Sequence, residues 1–229
     1  MSFVTFEGID GSGKTTQASR LVDALRARGA SVIATKEPDG GRIGKDIRAI
    51  LVAQRAHRLT AYEEALLVCA ARYDHVRSVI RPAIAAGKWV VCDRFVDSTF
   101  AFQSFENDVS ERFFDVVSKE IIGSTMPSFT FILDIDPTAA LHRRERESLN
   151  RDADPAEAHR DFDRIRRGLL EAAERDPKRC HVIDAAADVL AVTAQIVSIL
   201  QASGLLSEKA KFHSDQASRA TPPAGDRSS

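Results

Sequence analysis

The stretch Gly8-Ile9-Asp10-Gly11-Ser12-Gly13-Lys14-Thr15 decides the fold of this 229-residue chain. It matches the pattern G-x-x-x-x-G-K-[ST] at every fixed position. The apolar run FVTF precedes it and a helix-type pattern follows it, which is the order that a phosphate-binding loop requires. Its glycines let successive backbone N–H groups point at phosphate oxygens, and the N-terminus of the following helix adds its dipole. The sequence therefore predicts a nucleotide phosphate site here.

Two side chains of this loop have predicted chemical roles. Lys14 is placed to bridge the β- and γ-phosphates of ATP, and the Thr15 hydroxyl is placed to ligate Mg²⁺. The loop alone leaves the reaction open, because GTPases, motor ATPases and small-molecule kinases all use it. The predicted ATP contacts are made by Gly8, Ile9, Asp10, Gly11, Ser12, Gly13, Lys14, Thr15 and Thr16.

The rest of the sequence alternates short β-rich runs with longer helix-type segments. This order predicts an α/β fold of the P-loop NTPase type, a three-layer sandwich with a five-stranded parallel sheet, helices on both faces and a short lid. Strands are predicted over residues 2–7, 31–36, 89–93, 129–134 and 180–184. Helices are predicted over about 14–28, from Thr60 toward Arg81, from Pro137, from Pro155 to about 175, and over about 187–201.

Composition and length indicate one ordinary soluble domain. Hydrophobic residues make up 44% and charged residues 28%, and the formal net charge is -1, so no global basic field predicts a nucleic-acid partner. The chain has no apolar run near ~18 residues and no leader pattern, which predicts a cytoplasmic protein without a membrane span. The three cysteines are predicted to be reduced core residues. The domain is predicted over residues 1–206, and the polar segment 207–229 is predicted to be a disordered tail.

The third predicted strand ends in Val91-Cys92-Asp93-Arg94. Ligands of doubly wound sheets bind beyond the carboxyl ends of the strands, so Asp93 and Arg94 are expected to face the phosphate-binding loop. A carboxylate there can hold Mg²⁺ through its waters, and a guanidinium can bind an acceptor phosphate. Thr15 and Asp93 are therefore the predicted metal-binding residues. An ordinary ion pair at a strand end is the alternative.

Three segments, in order along the chain, resemble motifs of bacterial thymidylate kinases. EGIDGSGKTTQ at 7–17 is similar to the opening of these enzymes, KEPDGG at 36–41 to their R-E-P-G-G segment, and DRFVDSTFAFQ at 93–103 to their D-R-[YF]-x-x-S-x-x-A-Y-Q stretch. The resemblance runs from residue 2 to about residue 200. It implies a homodimer that uses Mg²⁺ and transfers the γ-phosphate of ATP to dTMP, giving dTDP and ADP for dTTP synthesis.

The resemblance also implies roles for residues that would bind the acceptor. Asp10 would lie near the 3′-hydroxyl of the deoxyribose and near Mg²⁺, whereas Arg94 and Arg48 would bind the dTMP phosphate. Arg72 and Thr99 would hydrogen-bond the thymine edge. The full set of predicted acceptor-site residues is Asp10, Pro38, Arg48, Val68, Arg72, Arg94, Ser98, Thr99, Phe102 and Gln103.

Residues 142–155 resemble the mobile lid of that family. Lid arginines would close over the transferred phosphoryl group, whose equatorial oxygens carry negative charge. Gly11 stands where some family members have an arginine, so the lid is expected to supply the positive charge. Because Glu145 and Glu147 alternate with the lid arginines, a solvated charged helix is the alternative interpretation. The predicted catalytic residues are Lys14, Asp10, Arg94, Arg143, Arg146 and Arg151.

The pocket for the base departs from the family pattern. Val68 falls where the family usually has a phenylalanine stacked on thymine, and Phe102, which is implied to pack beside the sugar, replaces a tyrosine. Losing the stack would cost about 1–3 kcal/mol of base affinity unless Phe100 or Phe105 supplies the ring. Two alternatives stay open. One is a kinase of the same fold for another deoxynucleotide or deoxynucleoside, and the other is a P-loop nucleotide switch without catalysis.

Overall fold

The computed structural model describes residues 2–53, 57–147 and 160–206. The strands are β1 (Phe3–Glu7), β2 (Val32–Lys36), β3 (Trp89–Asp93), β4 (Phe129–Asp134) and β5 (Cys180–Asp184). The helices are α1 (Lys14–Ala27), α2 (Gly44–Val52), α3 (Ala61–His75), α4 (Arg81–Ala85), α5 (Val96–Thr99), α6 (Glu111–Ile122), α7 (Pro137–Glu147), α8 (Phe162–Arg175) and α9 (Val189–Ala202). Two π-helical segments, Val76–Ile80 and Phe100–Phe105, continue α3 and α5.

The five strands form one parallel sheet in the order β2-β3-β1-β4-β5, which confirms the predicted fold. β3, β4 and β5 have their predicted bounds, and β1 and β2 each begin one residue later than predicted. β1 lies at the centre of the sheet between β3 and β4. The segments that follow β1 and β3 therefore leave the same edge of the sheet side by side, which is where ligands bind in such folds.

Alternate residues of β1 face two apolar layers. Val4 and Phe6 lie in a buried cluster with Leu21 of α1, whereas Phe3 lies in a second cluster with Ile80. All five side chains are fully or almost fully buried. Successive side chains of β1 thus point to opposite faces of the sheet, and each face is covered by apolar residues of the surrounding helices, as expected for a buried parallel strand.

The predicted helix from Thr60 toward Arg81 is present but interrupted. Thr60 forms the predicted capping box with Glu63, and α3 begins at the next residue. The helix then widens into the π-helical segment Val76–Ile80 before α4, which carries Pro82 in its first turn. Because proline lacks the N–H that an α-helix needs, a wider turn accommodates it. The sequence patterns do not predict α2, α5 or α6.

Several predictions fall on residues outside the described ranges: the helix start at Pro155, Arg151, the lid beyond residue 147, and the tail 207–229. Within the described part, α8 begins at Phe162, where the Asp161 side chain accepts a hydrogen bond from the backbone of Arg164. The three cysteines are buried and free, as predicted. Over residues 2–53, 57–147 and 160–206, no helix combines the length and apolar character that crossing a membrane requires.

Candidate active site

The loop between β1 and α1 encloses the ammonium group of Lys14. Gly8 has a φ of 149°, and a Cβ there would lie 2.8 Å from the Leu133 carbonyl oxygen, so a side chain does not fit. Lys14 Nζ donates to the Ile9 carbonyl oxygen at 2.8 Å. Burial and then the charge of Arg94 lower the pKa of Lys14 to about 8. The loop thus holds a buried cation where the predicted donor phosphates would lie.

Thr15 and Asp93 meet beside this loop. Thr15 Oγ1, in the first turn of α1, donates to Asp93 Oδ2 at the end of β3 over 2.6 Å. No group of three or more histidine, cysteine or acidic side chains is placed to hold a metal in the part of the chain that the structure describes. One hydroxyl and one carboxylate fit Mg²⁺, which keeps several waters and takes few protein ligands beside substrate phosphates. The donor set is therefore compatible with the predicted metal role.

Arg94 connects the phosphate-binding loop with the segment that follows β3. Its backbone has a φ of 70°, which is unusual for a residue other than glycine. Arg94 Nη1 donates to the Gly8 carbonyl oxygen and to Ser98 Oγ, each at 3.0 Å, and Nη2 pairs with Asp10 Oδ1. Although burial alone would raise it, the charges of Arg94 and Lys14 hold the pKa of Asp10 well below its ordinary value.

The carboxylate of Glu7, the last residue of β1, binds the same segment that follows β3. It accepts a hydrogen bond from the Phe95 backbone N–H at 2.7 Å and another from the Ser98 hydroxyl. Burial, followed by the charge of Asp97, raises the pKa of Glu7 to about 7. Sequence reasoning missed this residue. The available signal was an acidic side chain on the inward face of a buried strand.

A cavity of about 210 Å³ adjoins Arg94 and the loop; we name it the acceptor cavity. Its lining includes all ten predicted acceptor-site residues, although these come from four separate parts of the chain. Their individual roles stay predictions. Sequence reasoning assigned no role to the six other lining residues, although two of them, Glu37 and Phe95, lie within the motifs quoted above: Glu37, Leu51, Val52, Glu64, Phe95 and Arg160.

Arg72 is fully buried at the wall of the acceptor cavity. Its Nε donates to Glu37 Oε2 at 2.8 Å, and its Nη2 donates to the Phe95 carbonyl oxygen at 2.9 Å and to Thr99 Oγ1 at 2.7 Å. Its Nη1 is buried and has no hydrogen-bond partner among the residues that the structure describes. A buried donor without a partner is costly, so a ligand atom that accepts from Nη1 would bind favourably there.

Phe102 contacts two guanidinium groups in the same cavity. The Cζ atoms of Arg94 and Arg160 lie 5.0 and 5.6 Å from its ring centroid. Arg160 Nη2 donates to Glu64 Oε2 at 2.8 Å, which fixes the second guanidinium. Arg160 lies in a part of the sequence without any recognisable motif, and this is why sequence reasoning did not select it. The two cations hold the ring through cation–π contacts.

In α7, the arginine beside the phosphate-binding loop is one that the sequence analysis did not choose. A Cβ on Gly11 would lie 2.9 Å from Arg144 Cγ, and the charge of Arg144 contributes to the lowered pKa of Asp10. Of the predicted arginines, Arg143 donates to the Ala186 carbonyl oxygen and Arg146 to the His142 carbonyl oxygen of its own helix. Neighbouring helical residues point about 100° apart, so the order of arginines along α7 does not reveal which one faces the loop.

The fold and the two adjoining sites define a class of protein. A phosphate-binding loop at the end of a central strand, with a separate arginine-lined cavity next to it, is the arrangement of a P-loop phosphotransferase of the nucleoside monophosphate kinase type.

Comparison with known proteins identifies the family within this class. The sequence model of the family described as thymidylate kinase matches residues 6–196, so the chain belongs to the thymidylate kinase family. It is 43% identical over 199 residues to the thymidylate kinase of Caulobacter vibrioides, covering 86% of this chain and 95% of that one. It is 40% identical over 194 residues to that of Magnetococcus marinus, with coverages of 85% and 92%. The crystal structure of thymidylate kinase from Ehrlichia chaffeensis superposes with a TM-score of 0.69 at 32% identity, covering 87% of this chain and 97% of that one.

Proposed function

We propose that the protein transfers the γ-phosphate of ATP to dTMP, giving dTDP and ADP. The observation that carries this proposal is the acceptor cavity, which gathers the ten predicted acceptor-site residues beside the phosphate-binding loop. Arg94 lies at the junction, because it contacts both Gly8 of the loop and Ser98 of the cavity. A donor bound on the loop and an acceptor bound in the cavity would meet at this guanidinium.

Positioning and charge neutralisation account for the catalysis in this proposal. The attacking phosphate oxygen of a nucleoside monophosphate is anionic at neutral pH, so no strong general base is needed. Lys14 contacts the donor phosphates, Arg94 the acceptor phosphate, and Arg144 is the described α7 arginine best placed to reach the transferred group. Thr15 and Asp93 would hold Mg²⁺, which would neutralise charge on the donor phosphates.

At the base end of the cavity, Arg72 Nη1 is the donor for a base carbonyl. A pyrimidine with an exocyclic oxygen satisfies this buried N–H, whereas the exocyclic amino group of cytosine would face it as a second donor. The Thr99 hydroxyl accepts from Arg72 and keeps its own proton for a further hydrogen bond. These groups support thymine or uracil over cytosine.

We further propose that the chain forms a homodimer through an apolar face of α3. Tyr62, Leu66 and Tyr73 lie four and seven residues apart on this helix and are each about half exposed. Ile50 of α2 and Val116 of α6 are also exposed, and both helices pack against α3. Contiguous exposed apolar side chains mark association surfaces, and a second copy is the partner that the family resemblance implies.

A coupled assay of ADP release with dTMP, dUMP, dGMP and free deoxynucleosides tests the acceptor. We expect dTMP to give the highest kcat/KM, and faster turnover of any other acceptor would replace the assignment.

Lys14→Ala is expected to abolish turnover without unfolding the domain, because it removes the loop cation. Lys178→Ala, which removes an exposed lysine from the opposite edge of the sheet, is the matched control and is expected to keep full activity. ATP binding without turnover of any acceptor would favour a nucleotide switch instead.

A further inference from the structure

Behind the acceptor cavity, three buried side chains and one partly buried side chain form a series of polar contacts, which we name the positioning chain: Thr35, which is partly buried, His75, Glu37 and Arg72. Thr35 Oγ1 lies 2.8 Å from His75 Nε2, and His75 Nδ1 lies 3.1 Å from Glu37 Oε1. The other oxygen of Glu37 accepts from Arg72 Nε at 2.8 Å. His75 has no exposed surface, and it lies on the far side of Glu37 from the cavity, which it does not line.

The local sequence shapes this contact. β2 ends one residue before Glu37, and the Pro38-Asp39-Gly40-Gly41 turn then presses against the end of α3. A Cβ on Gly40 would lie 2.3 Å from His75 Nε2, and a Cβ on Gly41 would lie 2.6 Å from Asp74 Oδ2. Gly40 therefore leaves the space that the imidazole ring occupies, and Gly41 leaves room for the Asp74 carboxylate and the His75 backbone. His75 is also the last α-helical residue before the π-helical segment, a kind of segment that is frequent at functional sites.

The two oxygens of Glu37 are held by different partners, and this fixes the plane of its carboxylate. A carboxylate only accepts hydrogen bonds, so His75 Nδ1 donates to it. With both oxygens bound, the carboxylate cannot rotate, and Arg72 Nε has one available acceptor direction. Together with the Nη2 contacts to Phe95 and Thr99, this bond sets the guanidinium plane, and with it the direction of Nη1, which has no partner among the described residues.

We propose that His75 is a positioning residue for recognition of the acceptor base, acting through Glu37 to hold the Arg72 guanidinium edge-on to the base. This inference deepens the proposed function, because it rests on Arg72 reading the base in the acceptor cavity. His75 itself touches neither the acceptor nor the reacting phosphates. Its loss should therefore weaken acceptor binding and leave the phosphate chemistry unchanged.

Three substitutions at one position separate positioning from general packing. His75→Phe keeps a flat ring and removes both hydrogen bonds of the imidazole. We expect the dTMP KM to rise about tenfold, as for loss of a hydrogen bond to a charged group. The kcat and the ATP KM should stay unchanged. His75→Asn places an amide N–H near the position of Nδ1 and is expected to restore the dTMP KM. His75→Gln extends toward Thr35 and is expected to behave like His75→Phe. Equal dTMP KM values for the asparagine and glutamine variants, or a ranking that simply follows their melting temperatures, would overturn the proposal.

A double-mutant cycle with Arg72→Ala tests the route of the effect. In the Arg72→Ala background His75→Phe should not change the dTMP KM further, because the guanidinium that it orients is gone. The same fold-increase in both backgrounds would show that His75 does not act through Arg72. If His75→Phe does not fold, the asparagine and glutamine variants form the cycle.

The wild-type assay keeps this test separate from the proposed function. If wild-type protein prefers another acceptor, dTMP is the wrong substrate, and the same variants are measured with the preferred one. If wild-type protein phosphorylates dTMP and His75→Phe has a normal dTMP KM, only the positioning role fails.

Discussion

Burial of Glu7 should make the stability of this protein depend on pH in a way that one substitution removes. Glu7 ends β1, is fully buried, and binds the Phe95 N–H and the Ser98 hydroxyl. Burial and the charge of Asp97 raise its pKa from 4.5 to about 7. The folded chain therefore binds the proton more tightly than the unfolded chain does. Above pH 4.5 the unfolded chain releases this proton first, so stability falls as the pH rises toward 7 and then levels off.

The size of this effect follows from the two pKa values. A rise from 4.5 to about 7, at about 1.4 kcal/mol for each pH unit, corresponds to a loss of about 3 kcal/mol of stability across that range. Glu7→Gln cannot ionise, yet its amide oxygen can still accept from the Phe95 N–H. Relative to wild type, the variant should therefore gain about 3 kcal/mol between pH 4.5 and pH 7.5.

Urea unfolding of both proteins at half-unit steps from pH 4.5 to 8 measures this difference. Other groups titrate in both chains, so their contributions cancel when the two free energies of unfolding are subtracted. Glu120→Gln, at an exposed position of α6, is the matched control and should differ from wild type by a constant amount. A constant difference for Glu7→Gln as well would show that Glu7 is ionised throughout and would refute the reasoning.

Three further predictions concern the acceptor phosphate, the loop and the dimer. Arg94→Lys should raise the dTMP KM about tenfold or more, because one ammonium cannot replace three guanidinium contacts; an unchanged dTMP KM in steady-state kinetics contradicts this. Gly11→Ala should raise the ATP KM and lower the melting temperature, since its φ is 87° and the new Cβ would lie 2.4 Å from the Ala140 carbonyl oxygen; ATP binding equal to wild type would argue against it. Leu66→Lys should convert dimers to monomers in sedimentation velocity; a persistent dimer would place the interface elsewhere.

The features that the sequence predicts well are the ones that neighbouring residues encode. The phosphate-binding loop is a contiguous motif, and the five strands are short apolar runs bounded by turns. The capping box needs only Thr60 and Glu63. In each case the deciding interactions lie within a few residues, so local patterns contain them.

What the sequence does not reveal depends on packing between distant segments. Glu37 and His75 are 38 residues apart, and neither carries a motif that marks it as a partner of the other. Arg160 and Glu64 are separated by 96 residues. The Phe100–Phe105 segment is apolar and aromatic, a composition that is equally typical of a β-strand. In the structure it is π-helical and packs closely against Gly168 of α8, a contact that local sequence does not reveal.

The departures from the family pattern in the proposed base pocket are expected to change the affinity for the acceptor more than the phosphoryl transfer itself. Phe100 and Phe105 pack against each other with ring centroids 6.1 Å apart, and neither lines the acceptor cavity, so they do not replace the ring missing at Val68. Phe102 lines the cavity, but its ring already contacts two arginines.

The two ends of the acceptor cavity are built from different elements. Arg94, at the proposed phosphate end, is held by the loop after β1 and the segment after β3. Arg72 and Val68, at the proposed base end, are supplied by α3. The side-chain hydrogen bonds described for Arg94 go to Gly8, Asp10 and Ser98, all outside α3. Because Val68 makes none of these bonds, its substitution is expected to weaken binding of thymine without displacing the Arg94 guanidinium. Selection at Val68 could therefore retune the acceptor while transfer itself stayed intact.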